Sequence, residues 1–290
     1  MGHLPPLTET AYSAPEPAAF AALLKRGRPL VMGILNITPD SFSDGGAFLD
    51  PARAIAHAGE MAGPDLEFGA DILDIGAEST RPYGGAKAVS AEDELARLKP
   101  VLPAVARLGV PLSIDTIKAK VAAWALDNGA TIVNDVWGLQ GDPDMAKLVA
   151  ERGCPVIVMH NREAADAAID IVADVTAFFE RSLDIADRAG IARGNIVLDP
   201  GIGFGKTPEQ SIITLARLAE FKRFGLPLLV GASRKRFINS IVPSLPGERL
   251  GGSIASHLYA VAQGADIVRV HDVAATVQAL RVHSAIEAAK

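Results

Sequence analysis

The chain has a single cysteine, Cys154, in 290 residues, which excludes an internal disulfide and with it the stapled secreted folds. That thiol stands just before an apolar run and is expected to pack in a core. Cations are outnumbered, 28 Lys and Arg against 34 Asp and Glu for a formal charge of -6. No global positive field therefore draws the protein to nucleic acid or to an anionic membrane, and any anion site must be local. No stretch of about 18 consecutive apolar residues occurs, and residues 1–18 lack a basic start and an apolar h-region. Pro6 also occupies the position where a myristoylation signal needs Ser or Thr. A soluble cytoplasmic protein is expected. His57, His160, His257 and His271 fall in no HExxH or Cys-rich spacing, so a zinc site is not expected, and His57 and His257 read as helix-surface residues.

What the chain does have is 49% apolar residues, enough for one large core of the size an α/β barrel needs. Eight short apolar runs recur, bounded by turn residues: 29–35, 72–75, 112–114, 131–133, 155–159, 196–198, 227–230 and 267–270. Each is too short for a helix, and most are apolar throughout, as parallel strands covered on both faces are. Between them, Glu92 to Leu108 and Ala173 to Ala189 carry helical apolar stripes. Eight β-then-α units without a composition break predict a single (β/α)8 barrel over residues 19–290, preceded by a poorly ordered arm at 1–18. A doubly wound open sheet is the alternative.

Barrel enzymes assemble their sites at the C-terminal ends of strands. Here those ends carry Asn36, then Glu78 with Thr80 and Arg81, Asp115, Asn134 with Asp135, Met159 with His160, Asp199, Ser233 to Lys235, and Arg269 with His271. Helix capping explains Asp, Asn, Ser and Thr at such junctions. It does not explain Arg and Lys, which oppose the helix dipoles there, so the cations point to an anionic ligand. The segment Gly201 to Thr207 imitates a P-loop but is one residue short and is followed by Pro208. It reads as a flexible floor after Asp199.

Five segments are similar to those of the dihydropteroate synthases, enzymes that bind pterins: GILNITPDSFSDG at 33–45, ESTRP at 78–82, LDPGIGF at 198–204, GASRK at 231–235 and RVH at 269–271. They follow the family's order, and the resemblance covers roughly residues 29 to 285. It implies a transferase of folate biosynthesis that condenses 6-hydroxymethyl-7,8-dihydropterin diphosphate with 4-aminobenzoate, using Mg²⁺, to give 7,8-dihydropteroate and diphosphate. It further implies a homodimer and a target for sulfonamide inhibitors.

In the terms of that resemblance, Asp199 grips the amino-pyrimidinone edge of the pterin through two parallel hydrogen bonds. Asp115, Asn134 and Lys235 complete the polar ring contacts, and Val136, Met159 and Phe204 pack on the ring. Diphosphate falls to Asn36, Arg269 and His271, with Asn36 the protein ligand of Mg²⁺. The aminobenzoate falls to Phe42, Thr80, Arg81, Pro82 and Arg236. Arg236 either binds its carboxylate or stays solvated. Arg269, His271, Lys235, Asp44 and Arg81 form the implied catalytic set. The glycine-bearing loops Thr38 to Phe48 and Ser79 to Lys87 are expected to close after pterin diphosphate and Mg²⁺ bind, completing the aminobenzoate site last.

Three other activities compete. A pterin-dependent methyltransferase that passes a methyl group from methyltetrahydrofolate to a corrinoid resembles this family in barrel and pocket, and residues 78–82 and 233–235 argue against it. A Schiff-base aldolase using Lys235 as nucleophile would be trapped by borohydride. A silent pterin-binding scaffold finds no support, since every matched polar position is filled.

Overall fold

The computed structural model of the protein describes residues 17–37, 50–63, 68–78 and 89–290. Within them, eight strands alternate with helices: β1 (Leu30–Asn36), β2 (Ile72–Gly76), β3 (Leu112–Asp115), β4 (Ile132–Asp135), β5 (Val156–Met159), β6 (Ile196–Asp199), β7 (Leu229–Val230) and β8 (Ile267–Val270). All pair in parallel in the order β6-β5-β4-β3-β2-β1-β8-β7. A bridge between Leu198 and Leu228, with the Leu198 amide donating to Pro227 O at 2.9 Å, joins β6 to β7. The expected (β/α)8 barrel is therefore the observed architecture, and the open sheet is excluded by that closure.

Two expected elements differ from what forms. β7 is shorter than the apolar run 227–230 because Pro227 has no N–H to donate and Leu228 N bonds to the Asp266 carboxylate at 2.8 Å instead of to a strand. The stripe Glu92 to Leu108 is not one helix but Ala91–Leu98, then Leu102–Val105 and a 3₁₀ turn at Ala106–Leu108. Pro100 and Pro103 cannot donate to residues four back, and the chain tightens instead, with Val101 N reaching Leu98 O at 3.0 Å. The helix expected from Ala173 runs Ile171–Ala189, capped by Asp170, whose carboxylate accepts from Val172 N and Ala173 N, and ended by Gly190 at φ 83°. Its Phe179 packs edge-on against Phe221 and Phe224, a buried aromatic contact that stabilises by about 2 kcal/mol or more.

The core has two parts. One lies between the barrel wall and the surrounding helices and holds Cys154, as expected of that thiol. The other fills the barrel's lower interior with Ile72, Ile132, Ile157, Val197 and Ile267, sealed below by Phe20 and Leu23 of the helix Pro17–Leu24. No helix among the described residues is long and apolar enough to cross a membrane.

Candidate active site

Alternate residues of a strand share a face. Two residues beyond the inward Ile72, Ile132, Ile157, Val197 and Ile267 come Asp74, Asn134, Met159, Asp199 and Arg269, the next inward layer toward the C-terminal end. The barrel is thus apolar at its floor and polar at its mouth. A cleft of about 950 Å³ opens there, and it is lined by Asn36, Asp115, Asn134, Val136, Met159, Asp199, Phe204, Lys235, Arg236, Arg269 and His271. Phe42, Asp44, Thr80, Arg81 and Pro82, with the whole of the two loops expected to close, lie outside the described residues.

The cleft's acidic side is organised by one guanidinium. Arg269 donates from Nε to Asp74 Oδ2 at 2.6 Å and from Nη2 to Asp115 Oδ2 at 2.7 Å, and Asn134 Nδ2 donates to the same Asp74 oxygen at 3.1 Å. Asp74 Oδ1, Asp115 Oδ1 and Asn134 Oδ1 are buried without a protein partner. Such orphaned acceptors are costly, and three together suit a ligand edge rich in N–H donors. Burial pushes the Asp115 carboxyl up, against the pull of Arg269. Asp74 escaped the sequence reading because it sits inside β2 rather than at its end. An acid within the run Ile-Leu-Asp-Ile was the available signal.

Opposite stands Asp199, whose Oδ1 accepts from Gly201 N at 2.8 Å. Burial pushes its carboxyl up to about 6, while the Gly201 bond and the charges of Lys235, Arg269 and Lys206 pull it down. Lys235 places its ammonium 4.0 Å from the centre of the Phe204 ring, a cation-π contact at the pocket wall. The segment after Asp199 is not the flexible floor expected. Lys206, 1% exposed, ties it down from within, and Thr207 caps the next helix in a reciprocal pair with Gln210, with Pro208 in its first turn.

Beside these, Arg234 adopts a left-handed φ of 57°. Its Nε and Nη2 clasp the Asp272 carboxylate at 3.0 and 2.5 Å, and its amide donates to Ser253 Oγ at 2.9 Å. That strained turn delivers Lys235 to the cleft. Ser233 Oγ lies 3.0 Å from His271 Nδ1. Burial and the neighbouring charges of Arg234, Arg269 and Lys235 push His271 down to about 3. It is therefore a neutral hydrogen-bonding group at neutral pH, partnered with Ser233.

Several strand-end residues serve the fold instead. Asp135 accepts from Trp137 N at 2.9 Å and Leu139 N at 2.7 Å and so closes a turn. Glu78 pairs with Lys118, which also bonds Glu94 at 2.9 Å. His57 lies on a helix surface as expected, 43% exposed in its side chain. His257 does not: it is 1% exposed and its Nε2 accepts from Ala232 N at 3.2 Å, because the helix Leu250–Ala262 turns Ser253, His257 and Ala260 inward.

Residues 32–271 match the family described as pterin binding enzyme. The chain is 45% identical over 254 residues to the dihydropteroate synthase of Bacillus subtilis (strain 168), covering 87% of each. It superposes on the Xanthomonas albilineans dihydropteroate synthase with 4-aminobenzoic acid at a TM-score of 0.84 and 45% identity, over 90% of this chain and 94% of that one. Against the same enzyme in complex with 7,8-dihydropteroate the TM-score is 0.81 at 43% identity, over 90% and 95% of the two chains.

Proposed function

Since this chain belongs to the pterin-binding enzyme family and, within it, to the dihydropteroate synthases, we propose the following division of its reaction among its residues. The enzyme joins 6-hydroxymethyl-7,8-dihydropterin diphosphate to 4-aminobenzoate, giving 7,8-dihydropteroate and diphosphate. The observation that carries the assignment is the pairing of a buried acceptor-rich wall, Asp115 and Asn134 backed by Asp74, with the buried carboxylate of Asp199 across one cleft.

The pterin's amino-pyrimidinone edge presents adjacent N–H donors to Asp199, whose second oxygen remains for them beside the one held by Gly201. The far ring meets Asn134 and Asp115 through their open oxygens, so Asp115 keeps Arg269 on Oδ2 and takes substrate on Oδ1. Lys235 donates to the ring carbonyl, and Val136, Met159 and Phe204 exclude water from the ring faces. The amine nitrogen of 4-aminobenzoate forms a bond to the methylene carbon, whose carbon–oxygen bond to diphosphate breaks, and the amine's proton passes to solvent or to the released diphosphate. Arg269 and His271 hydrogen-bond the departing diphosphate where its charge grows. Arg236, at the cleft rim, faces the aminobenzoate carboxylate. Phe42, Asp44, Thr80, Arg81 and Pro82 keep the roles that the family resemblance implies.

Among the described residues no cluster of three or more His, Cys, Asp or Glu is arranged to hold a metal. A Mg²⁺ that arrives with the diphosphate fits that donor set, since this ion keeps mostly water and phosphate oxygens and needs one protein amide, here Asn36. When bound it neutralises charge on the leaving diphosphate.

The exposed apolar residues Ile212, Ile213, Leu250, Tyr259, Val282 and Ile286 lie on the neighbouring helices Pro208–Ala216, Leu250–Ala262 and Val273–Ala288. A homodimer formed over that face accounts for them. A sulfonamide, which carries the same aminophenyl group as 4-aminobenzoate, competes for the aminobenzoate site. The enzyme works in the cytoplasm, where its lone thiol stays reduced. Calorimetry on Asp199→Ala tests the pterin assignment. Loss of pterin binding is expected, and near wild-type affinity would reduce Asp199 to a turn cap.

A further inference from the structure

Lys206 takes no part in the chemistry above, yet its buried ammonium reaches three acceptors: His160 Nδ1 at 2.6 Å, Gly201 O at 2.8 Å and Phe204 O at 3.2 Å. The backbone it holds cannot be built otherwise. Gly201 and Gly205 have φ of 65° and 55°. A Cβ would stand 2.0 Å from His160 O at the first and 2.3 Å from Arg162 Cβ at the second. From this loop hang two parts of the pterin pocket: the Gly201 amide that fixes the Asp199 carboxylate and the Phe204 ring beneath Lys235.

The other side of the ammonium is equally ordered. As Lys206 is a donor, His160 Nδ1 accepts, and its Nε2–H donates to Asp174 Oδ2 at 2.9 Å. His160 N donates to Asp199 O at 2.8 Å. A neutral ring agrees with its burial, which pushes His160 down to about 4.

We propose that Lys206 is a positioning residue for pterin recognition, locking the 201–205 loop against His160 and so holding the Gly201 amide on the Asp199 carboxylate and the Phe204 ring at the pocket wall. The inference rests on Asp199 being the pterin-binding group. The charges facing Asp199 are Lys206 from its own loop, Lys235 after β7 and Arg269 on β8. Facing Lys206 are Asp199, Asp174 of the helix Ile171–Ala189, Lys235 and Arg162 after β5. Burial raises Asp199 to about 6 against the Gly201 bond, which is the largest opposing pull, and the smaller pulls of Lys235, Arg269 and Lys206, so the loop that Lys206 holds also sets the Asp199 titration. Loosening the Gly201 bond and removing the Lys206 charge both act to move the Asp199 titration to higher pH.

The test is calorimetric binding of 6-hydroxymethyl-7,8-dihydropterin from pH 5 to 8 to the wild type, Lys206→Met, Lys206→Gln and Asp199→Asn, with folding checked by circular dichroism. Both Lys206 variants should show the acid fall in affinity displaced upward by about one pH unit. Lys206→Gln, which keeps two donors for the loop carbonyls, should bind within a few-fold of wild type at pH 8. If Lys206→Met does not fold, Lys206→Gln carries the same reading. Folded Lys206 variants with the wild-type midpoint and affinity, beside an Asp199→Asn that has lost binding, would overturn the Lys206 role and leave Asp199 standing. Normal binding by Asp199→Asn would instead remove the reading beneath it. In the unaltered enzyme, nitrogen-15 NMR should find His160 protonated on Nε2 from pH 5 to 8, and a proton on Nδ1 would equally overturn the proposal.

Discussion

Arg269 on β8 and Asp74 on β2 meet across β1 with Nε 2.6 Å from Oδ2, and Asp74 is fully buried in its side chain. The same guanidinium holds Asp115, so a group proposed to help diphosphate leave is also paired with a carboxylate proposed to receive the pterin. On the proposed reading, recognition of one end of the substrate and activation of the other share a side chain.

Arg269→Ala should consequently damage more than turnover. It strands two buried carboxylates, a loss of the kind that costs about 3 to 5 kcal/mol. Differential scanning calorimetry should show the melting temperature lowered by roughly 5 °C or more, with part of it restored when Asp74→Asn is added. An unchanged melting temperature in Arg269→Ala would show that the pair carries no structural weight.

Affinity for 6-hydroxymethyl-7,8-dihydropterin should fall as pH is lowered through about 6. Burial holds the Asp199 carboxyl up at that value, so the acceptor is ionised above it and protonated below it. Only the ionised form receives two ring donors. Below the midpoint the association constant should drop about tenfold per pH unit, and Asp199→Asn should bind weakly at every pH. An affinity that stays flat between pH 5 and 8 would contradict the ionised-acceptor reading.

The left-handed backbone at Arg234 separates two substitutions that lose the same clasp on Asp272. Arg234→Gly adopts φ 57° freely and Arg234→Ala does not, so the glycine variant should be more stable by about 1 kcal/mol in urea unfolding. Turnover should follow the same order, because the turn delivers Lys235. Equal stabilities would show that the turn relaxes when the arginine is removed.

Cys154 should be silent. It is buried, and burial pushes its thiol up to about 11, so labelling by iodoacetamide at pH 7.5 should proceed only as fast as the chain opens. Labelling at the rate of a free thiol in native buffer would show local opening at the start of β5.

The residues legible in the sequence were those that end strands. An apolar run shows where a parallel strand stops, and the polar residue near that point must face the mouth of the barrel, which located Asn36, Asp115, Asn134 and Asp199 in one cleft, while Arg269, inside its strand, was marked by the segment RVH at 269–271. Asp74 was harder to see because its importance comes from Arg269, 195 positions away. Lys206 resembled a loop cation until its acceptors, contributed by residues 160, 201 and 204, were brought together. His257 was misplaced because the helix around it is largely apolar, so no polar stripe marked which side faces water. The break after Leu98 was written in Pro100 and Pro103, whose missing N–H groups outweigh the apolar stripe that runs past them.

The most direct test of the central claim is incubation of the purified enzyme with 6-hydroxymethyl-7,8-dihydropterin diphosphate, labelled 4-aminobenzoate and Mg²⁺, followed by separation of labelled products. Labelled 7,8-dihydropteroate should form with one equivalent of diphosphate released, and it should be lost in Asp199→Ala. Diphosphate release without labelled dihydropteroate, or no turnover by folded enzyme, would contradict the account.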